Sequence, residues 1–194
     1  MRSWPCVRKS AASSLIAVLL ATGASPAPAC GAPAKKKSQE ASLAGLRPGK
    51  DKLKTAVNIH GPYYRKAVPD SDSVLVWIDA AKHRSLRVEV DSQGVIRSVM
   101  VSAIDPLISD ESQPVAALPS RTIATGKGLR IGYNVHDDVT ETYGDPDGAA
   151  NSVRYGHTVK VLSYSFEKSP QTMEFLCQVP GGRLLQVTLA AGGS

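Results

Sequence analysis

The sequence predicts an α+β fold of two tandem modules, each a short capped helix packed on a three-stranded antiparallel β-meander. Two observations carry this prediction. The stretch "GLRPG" at residues 45–49 returns as "GLRIG" at residues 128–132, and each copy precedes a helix-like segment. Three segments of alternating apolar residues then follow each of these helices. The modules are expected at residues 43–103 and 122–191, after a disordered signal and linker segment.

The first 29 residues have the layout of an export signal. Arg2, Arg8 and Lys9 precede an apolar stretch at residues 11–24, and an A-x-A cleavage pattern ends at Ala29. The apolar stretch is too short to span a membrane. This layout predicts a periplasmic or secreted bacterial protein in which residues 30–42 form a flexible linker.

Cys30 directly follows the expected cleavage site, so it is a candidate for lipid attachment. The signal for a lipoprotein is weak, because Ala27 stands where a bacterial lipobox usually has leucine, and ten residues separate Leu20 from Cys30. A soluble exported protein is therefore the preferred prediction. Contact with a membrane is expected only if Cys30 is lipidated.

The formal charge of +6 belongs mainly to the N-terminal segments. The chain has 23 basic and 17 acidic residues. Setting aside the three basic residues of the signal, together with Lys35, Lys36, Lys37 and Glu40 of the linker, leaves 17 basic and 16 acidic residues. This balance gives no electrostatic footprint for nucleic acid, and no nucleic-acid partner is expected.

Both helices have start and stop signals at the same spacing. An offset of 83 residues aligns Asp51 with Asn134 and Gly61 with Gly144. Asp51 and Asn134 are predicted N-caps, and the glycines can adopt the backbone conformation that closes a last helical turn.

Three predicted strands follow each helix. In the first copy they occupy residues 73–80, 85–90 and 95–102, and in the second copy residues 158–166, 172–179 and 183–190. The second copy needs a short insertion, which is assigned to residues 144–157. Residues 104–121 contain three prolines and are predicted to link the modules.

Alternation along these strands predicts which side chains face a partner. Leu86, Val88 and Val90 should pack on the helix, with Arg87 and Glu89 on the outer face. The candidate protein-binding residues on that face are Trp77, Arg87, Glu89, Leu176 and Gln178. Trp77 has an alternative position at the seam between the modules. Tyr63 and Tyr64, which have no counterpart in the second copy, are further contact candidates.

A capped helix after G-x-x-x-G, a G-x-P break and a meander resemble the bacterial envelope modules of the BamE (SmpA/OmlA) type. Two such modules in tandem also resemble the β-lactamase inhibitory protein. This resemblance covers residues 43–102 and 122–190. It implies an exported protein with a protein partner, and, for the inhibitor, an acidic hairpin turn such as the one that carries Asp91.

Patterns that would carry chemistry are weak. The four histidines lack metal-ligand spacing, and "TGKGLRIG" at residues 125–132 lacks the Lys-Ser or Lys-Thr of a phosphate loop. Cys177 alternates with apolar residues, which predicts an inert core position. An acidic cluster, Asp137, Asp138, Asp145 and Asp147, lacks the ligand order of a calcium loop.

These observations predict a non-enzymatic exported protein with no catalytic residue, no metal and no cofactor. It is expected to contact an envelope or extracellular protein through open sheet faces. Two alternatives stay open: a secreted protein inhibitor of an enzyme, and a small exported hydrolase with a site between the modules.

Overall fold

The computed structural model describes residues 39–62, 64–66, 73–109, 123–166 and 169–192. Two α-helices are present in this part of the chain, α1 (Leu53–His60) and α2 (His136–Tyr143). Two short 3-10 helices lie at Ala80–Lys82 and Pro106–Ser109. The strands are β1 (Tyr64–Lys66), β2 (Ser73–Asp79), β3 (Arg84–Val90), β4 (Ile96–Ser102), β5 (Gly148–Arg154), β6 (His157–Ser165), β7 (Gln171–Gln178) and β8 (Leu184–Ala191).

All eight strands belong to one antiparallel sheet in the order β1-β2-β3-β4-β8-β7-β6-β5. The predicted pair of separate three-stranded modules is therefore wrong, and the fold is mainly β. The two halves join where β4 pairs with β8, from Ser98 opposite Ala190 to Ser102 opposite Gln186. Separation there would expose Val99 and Val101 of β4, both buried, which explains why the last strands of the two halves pair.

Two of the strands were missed because their sequences lack an apolar alternation. β5 occupies the stretch that was assigned to an insertion, and nearly all of its residues are exposed. It lies at one edge of the sheet and pairs with β6 alone, from Gly148 opposite Ser163 to Arg154 opposite His157. β1 is only three residues long. An edge strand with no buried face gives no periodic signal.

Asp51 and Asn134 hold the loop before each helix, not the first helical turn. An Asp51 side-chain oxygen accepts a hydrogen bond from the backbone N–H of Arg47, and Asn134 Oδ1 accepts one from the backbone N–H of Arg130, both at 2.8 Å. The predicted N-caps are therefore wrong by one residue, since the helices begin after Lys52 and Val135. The predicted C-terminal glycines are confirmed.

Gly61 and Gly144 end the helices with φ values of 77° and 84°. Each donates its N–H to a carbonyl four residues back, at 2.8 and 2.9 Å. The loops before the helices also make matching contacts with the last hairpin of their own half. These are Gly49 N to Ile96 O (2.7 Å) and Gly132 N to Leu184 O (2.8 Å), then Leu53 N to Gly94 O (2.9 Å) and His136 N to Gly182 O (2.8 Å).

Both helices pack on the same apolar face of the sheet. This core includes Leu86, Val88 and Val90, as predicted, and also Trp77. Trp77 is only 1% exposed, donates a hydrogen bond from Nε1 to Gly61 O at 3.1 Å, and contacts the His60 ring edge-on. The predicted outer position of Trp77 is therefore wrong. Alternation misled here because Val76 and Ile78, on the opposite face of β2, are buried as well.

The chain after β4 covers part of the second face of the sheet. Ile104, Val159, Leu176 and Leu185 form a separate apolar cluster there, so Leu176 is buried too. The carboxylate of Asp105 is fully buried and accepts hydrogen bonds from Arg87 Nε and Nη2 at 2.6 and 2.7 Å. The first residues of the predicted linker thus fold back on the sheet.

The N-terminal segment docks between the two halves from residue 40 onward. Ala44 N donates to Ala124 O at 3.1 Å, and Leu43 and Leu46 are buried. Glu40 is 3% exposed and accepts a hydrogen bond from the Tyr143 hydroxyl at 2.7 Å. The last residues of the predicted flexible linker, Glu40 included, are therefore part of the folded structure.

Candidate functional site

A groove of about 660 Å³ lies at one end of the sheet. β2 and β7 end here, and β3, β6 and β8 begin here, because neighbouring strands run in opposite directions. The groove walls come from the β2–β3 connection, the residues after β4, the loop before α2, the start of β6 and the β7–β8 turn. Residues that are far apart in sequence are thus brought together by the meander.

The groove carries a concentration of basic side chains. Among the described residues that line it, none is acidic. The basic and imidazole side chains are Lys82, His83, Arg84, Arg130, His157 and Arg183. Apolar side chains complete the walls, among them Ile104, Ile131 and Leu185. A nearly neutral folded part of the chain therefore contains a depression lined by basic side chains, of which Arg84 is paired with Asp79.

A buried carboxylate shapes the β2–β3 connection. Asp79 is 3% exposed and accepts hydrogen bonds from the backbone N–H of Lys82 at 3.2 Å and from Arg84 Nη2 at 3.1 Å. His83 between them has a φ of 46°, a left-handed conformation that leads the chain from the 3-10 helix Ala80–Lys82 into β3. Asp79 thereby holds the backbone at Lys82 and the side chain of Arg84 beside the groove.

The loop before α2 supplies the opposite wall. Arg130 is exposed, and within the part of the chain that the structure describes its guanidinium makes no hydrogen bond or ion pair. Tyr133 is 82% exposed, the largest exposure of any described large apolar side chain. The hydrogen bonds of Gly132 to Leu184 and of Asn134 to Arg130 fix the backbone beneath both side chains.

The predicted contact residues are not brought together in this groove, with one exception. Gln178 is exposed and lines it. Arg87 lies on the second face and is held by Asp105, whose hydrogen bonds raise the pKa of Arg87 above its ordinary value. Glu89 is exposed on the same face and accepts a hydrogen bond from Ser98 at 2.6 Å.

The remaining candidates are placed by burial or lie outside the described residues. Trp77 and Leu176 are each 1% exposed and present no surface to a partner. Tyr63, Cys30 and the side chain of Tyr64 are not among the described parts of the chain, although the Tyr64 backbone begins β1.

No protein-family model matches the sequence, and no curated protein does so either. Two solved structures are similar in fold. One is a DUF4309 family protein (YjgB) from Bacillus subtilis, at 11% identity and a TM-score of 0.48, covering 81% of this chain and 88% of that one. The other is a cysteine-rich secretory protein from Staphylococcus aureus, at 12% identity and a TM-score of 0.49, covering 80% and 47%.

Neither of these names mentions an enzymatic activity, a BamE protein or a β-lactamase inhibitor. This chain spans about half the length of the staphylococcal protein. At such identities and TM-scores the likenesses assign no function to it. The resemblance to the envelope modules therefore stays a prediction.

The groups that could carry chemistry are engaged in packing. The Cys177 thiol is buried, and burial raises its pKa to about 11, which disfavours the nucleophilic thiolate. Burial lowers the pKa of His60, whose Nε2 lies 3.0 Å from Ala44 O. Among the described residues no group of three His, Cys, Asp or Glu side chains could hold a metal. None of the helices in these same residues is long and apolar enough to cross a membrane.

The loop "TGKG" at residues 125–128 does hold an anion, but the anion belongs to the chain itself. The Glu40 carboxylate accepts a hydrogen bond from Lys127 N at 3.2 Å and lies directly against Gly126, where a Cβ atom would overlap it. This close approach explains the glycine at position 126. The prediction that these glycines serve structure agrees with this arrangement.

Sequence reasoning missed the groove because its basic residues are spread between positions 82 and 183. One signal was available. Arg47 and Arg130 occupy equivalent positions, but the acidic Asp51 of the first copy is replaced by the neutral Asn134 in the second. That difference removes the neighbouring carboxylate from Arg130.

Proposed function

We propose that this chain is a non-enzymatic exported protein of the bacterial envelope that binds a protein partner through the groove at the end of its sheet. The observation that carries the proposal is the grouping of Tyr133, 82% exposed, with the exposed Arg130 and Arg183 on one depression. Tyrosine and arginine are enriched among the residues that dominate protein–protein binding energies. Export is part of the proposal and rests on the signal pattern of residues 1–29.

This surface replaces the one expected from sequence. The buried Trp77 and Leu176 cannot contact a partner, and Arg87 is already bound to Asp105. Gln178 is the predicted contact that lines the groove. The binding site is therefore assigned to the loops at the end of the sheet, not to the middle of its faces.

Site-specific photo-crosslinking in intact cells tests the proposal. A benzophenone amino acid is placed at position 133 and, as a control, at position 93, because Gln93 is exposed in the β3–β4 turn at the opposite end of the sheet. We expect one envelope protein to be crosslinked from position 133 and not from 93, and to bind the purified chain. Equal adducts from both positions, or none from either, would contradict the proposal.

Identification of the crosslinked protein also separates the alternatives. If it is an enzyme whose activity falls when the purified chain is added, the protein is an inhibitor. The hydrolase alternative predicts turnover of the captured molecule by the purified chain. N-terminal sequencing of the protein from the envelope fraction tests export independently, and an intact signal on a cytoplasmic product would refute that part.

A further inference from the structure

We infer that the groove takes an acidic, partly apolar peptide segment of the partner. This inference rests on the proposed function and names the chemistry of the bound segment. It is based on Arg130 and Arg183, which line one groove without an acidic partner among the described residues, whereas Arg47, the equivalent of Arg130 in the first half, is paired with Asp51.

The two helix-entry loops have the same backbone contacts with the last hairpin of their halves. An isolated bridge joins Lys52 to Val95 in the first half, and another joins Val135 to Arg183 in the second. Lys52 and Val135 are equivalent, because each precedes the first residue of its helix. Arg183 therefore lies where the first half has the uncharged Val95.

The two halves differ in whether the arginine of this loop has an acidic partner. In the first half Arg47 Nη2 forms an ion pair with Asp51 at 2.8 Å, and Val95 is neutral. In the second half Arg130 has Asn134 in place of the aspartate, and Arg183 in place of the valine. The first-half loop is positive too, through Lys50 and Lys52. The halves differ in that Arg47 has an acidic partner, whereas Arg130 and Arg183 line one groove without one among the described residues.

No carboxylate of the described residues compensates these two arginines. Asp138, four residues after Asn134, already accepts hydrogen bonds from Val135 N at 2.9 Å and Asn134 Nδ2 at 3.0 Å, and Asp137 Oδ1 lies 2.9 Å from His136 Nδ1. Neither Arg130 nor Arg183 forms an ion pair within the described ranges. An anionic ligand would supply the acidic groups with which Arg130 and Arg183 can pair.

The groove walls indicate a peptide and not a bare phosphate polymer. Ile104, Ile131 and Leu185 line the same depression as the arginines, and Tyr133 is exposed at its surface. An acidic peptide can place carboxylates on the arginines and apolar side chains on these walls, whereas a polyphosphate has no apolar groups to bury. Surfaces that combine tyrosine, arginine and apolar side chains are typical of protein–protein interfaces.

Fluorescence anisotropy with the purified mature chain tests the inference. The probe is a fluorescein-labelled peptide that alternates glutamate and leucine, and the reference is the same peptide with glutamine in place of glutamate. We expect the acidic probe to bind and the reference not to bind. Added salt should weaken the binding, because exposed charges are screened.

Arg130→Gln and Arg183→Gln should each weaken binding of the acidic probe by about threefold to fivefold, the range of an exposed ion pair, and the double variant by about tenfold or more. Arg47→Gln is the matched control, because Arg47 occupies the equivalent position in the first half, and it should leave the affinity unchanged. Asn134→Asp recreates the first-half arrangement beside Arg130 and should also weaken binding. Thermal melting confirms that each variant is folded.

Equal loss of affinity in Arg47→Gln and Arg130→Gln, or no binding of the acidic probe, would overturn the inference. Tighter binding of polyphosphate than of the peptide, lost in the double variant, would overturn it in favour of a phosphate ligand. Crosslinking from position 133 separates this outcome from failure of the proposed function. If the double variant still crosslinks the same envelope protein, the binding function stands and the acidic segment is refuted.

Discussion

The two halves of the chain use different aromatic residues for the same structural task. Trp77 Nε1 donates a hydrogen bond to Gly61 O in the first half, and the Tyr164 hydroxyl donates one to Gly144 O in the second, both at 3.1 Å. Each side chain thereby ties its strand to the glycine that ends the helix. Positions that satisfy a backbone group keep their role in both halves, although the residue types differ.

The next layer of the core shows where the halves diverge. His60 and Tyr143 are the last residues of the two helices, and both reach the N-terminal segment. His60 Nε2 lies 3.0 Å from the backbone oxygen of Ala44, whereas the Tyr143 hydroxyl donates to the Glu40 carboxylate. The last residue of the second helix therefore bonds a side chain of that segment, whereas the last residue of the first helix contacts its backbone.

The largest change in stability should come from removing Trp77 or Tyr164, the aromatic residues that donate hydrogen bonds to Gly61 O and Gly144 O. Trp77→Ala and Tyr164→Ala each remove a buried ring, and each should lower the free energy of unfolding by about 3–5 kcal/mol in urea denaturation. Tyr164→Phe keeps the ring, loses the hydrogen bond to Gly144 and should cost about 0.5–1.5 kcal/mol.

The stability of the Trp77→Ala variant also distinguishes the buried position of Trp77 in the structure from the outer position predicted from the sequence. An outer-face tryptophan could be removed with little change in stability. A Trp77→Ala variant as stable as the parent would therefore contradict the buried position and the equivalence with Tyr164.

The Glu40 contact should give the next largest effect. Tyr143→Phe leaves the buried Glu40 without its hydroxyl donor and should lower the free energy of unfolding by about 1.5–3 kcal/mol, because the acceptor is a carboxylate. Gly126→Ala should be destabilising as well, since the added methyl group overlaps the carboxylate. Urea denaturation measures the change in the free energy of unfolding for both variants.

A double variant isolates the cause of the Gly126 effect. In a Glu40→Ala background the space beside residue 126 is vacant, so Gly126→Ala should cost much less there than in the parent chain. The same cost in both backgrounds would mean that Gly126 is required for another reason, and that the loop does not hold the carboxylate.

The sequence allowed the helices and six of the eight strands to be placed, because capping glycines and apolar alternation are local signals. It did not allow the sheet to be assembled. The pairing of β4 with β8 depends on which apolar strand edges remain unpaired in the folded chain. The strand β5 has no buried face, so its sequence shows no apolar alternation. Trp77 was misplaced for a related reason, since strands buried on both faces show no preferred side.

The groove could be predicted only in part. The loss of an acid between Asp51 and Asn134 is visible in the sequence, and it indicates Arg130. Lys82, Arg84 and Arg183 become its neighbours only through the antiparallel order of the strands, which brings several turns to one end. Long-range neighbours of this kind leave no spacing pattern along the chain.

The smallest expected effect is a difference in acid sensitivity between the two helix-entry loops. The hydrogen bond from the Arg47 side chain lowers the pKa of Asp51 below its ordinary value of 3.8. A carboxylate with a lowered pKa in the folded state contributes stability above the pKa of the unfolded state. That contribution is lost as the pH falls through the folded pKa. Asn134 has no titrating group, so the second loop lacks this particular contribution. Its own acid-sensitive group is Asp138, whose pKa is lowered by hydrogen bonds from the backbone N–H of Val135 and the side chain of Asn134.

Asp51→Asn should therefore lower the melting temperature near neutral pH and reduce the further decrease between neutral and strongly acidic pH, as measured by circular dichroism. Asn134→Asp is the reciprocal variant, and it should add an acid-sensitive contribution by giving Arg130 the partner that Arg47 has. If the Asp51→Asn variant and the parent lose the same stability on acidification, the Arg47–Asp51 pair does not stabilise the first loop. The contrast with Arg130 would then have to rest on Arg183 alone.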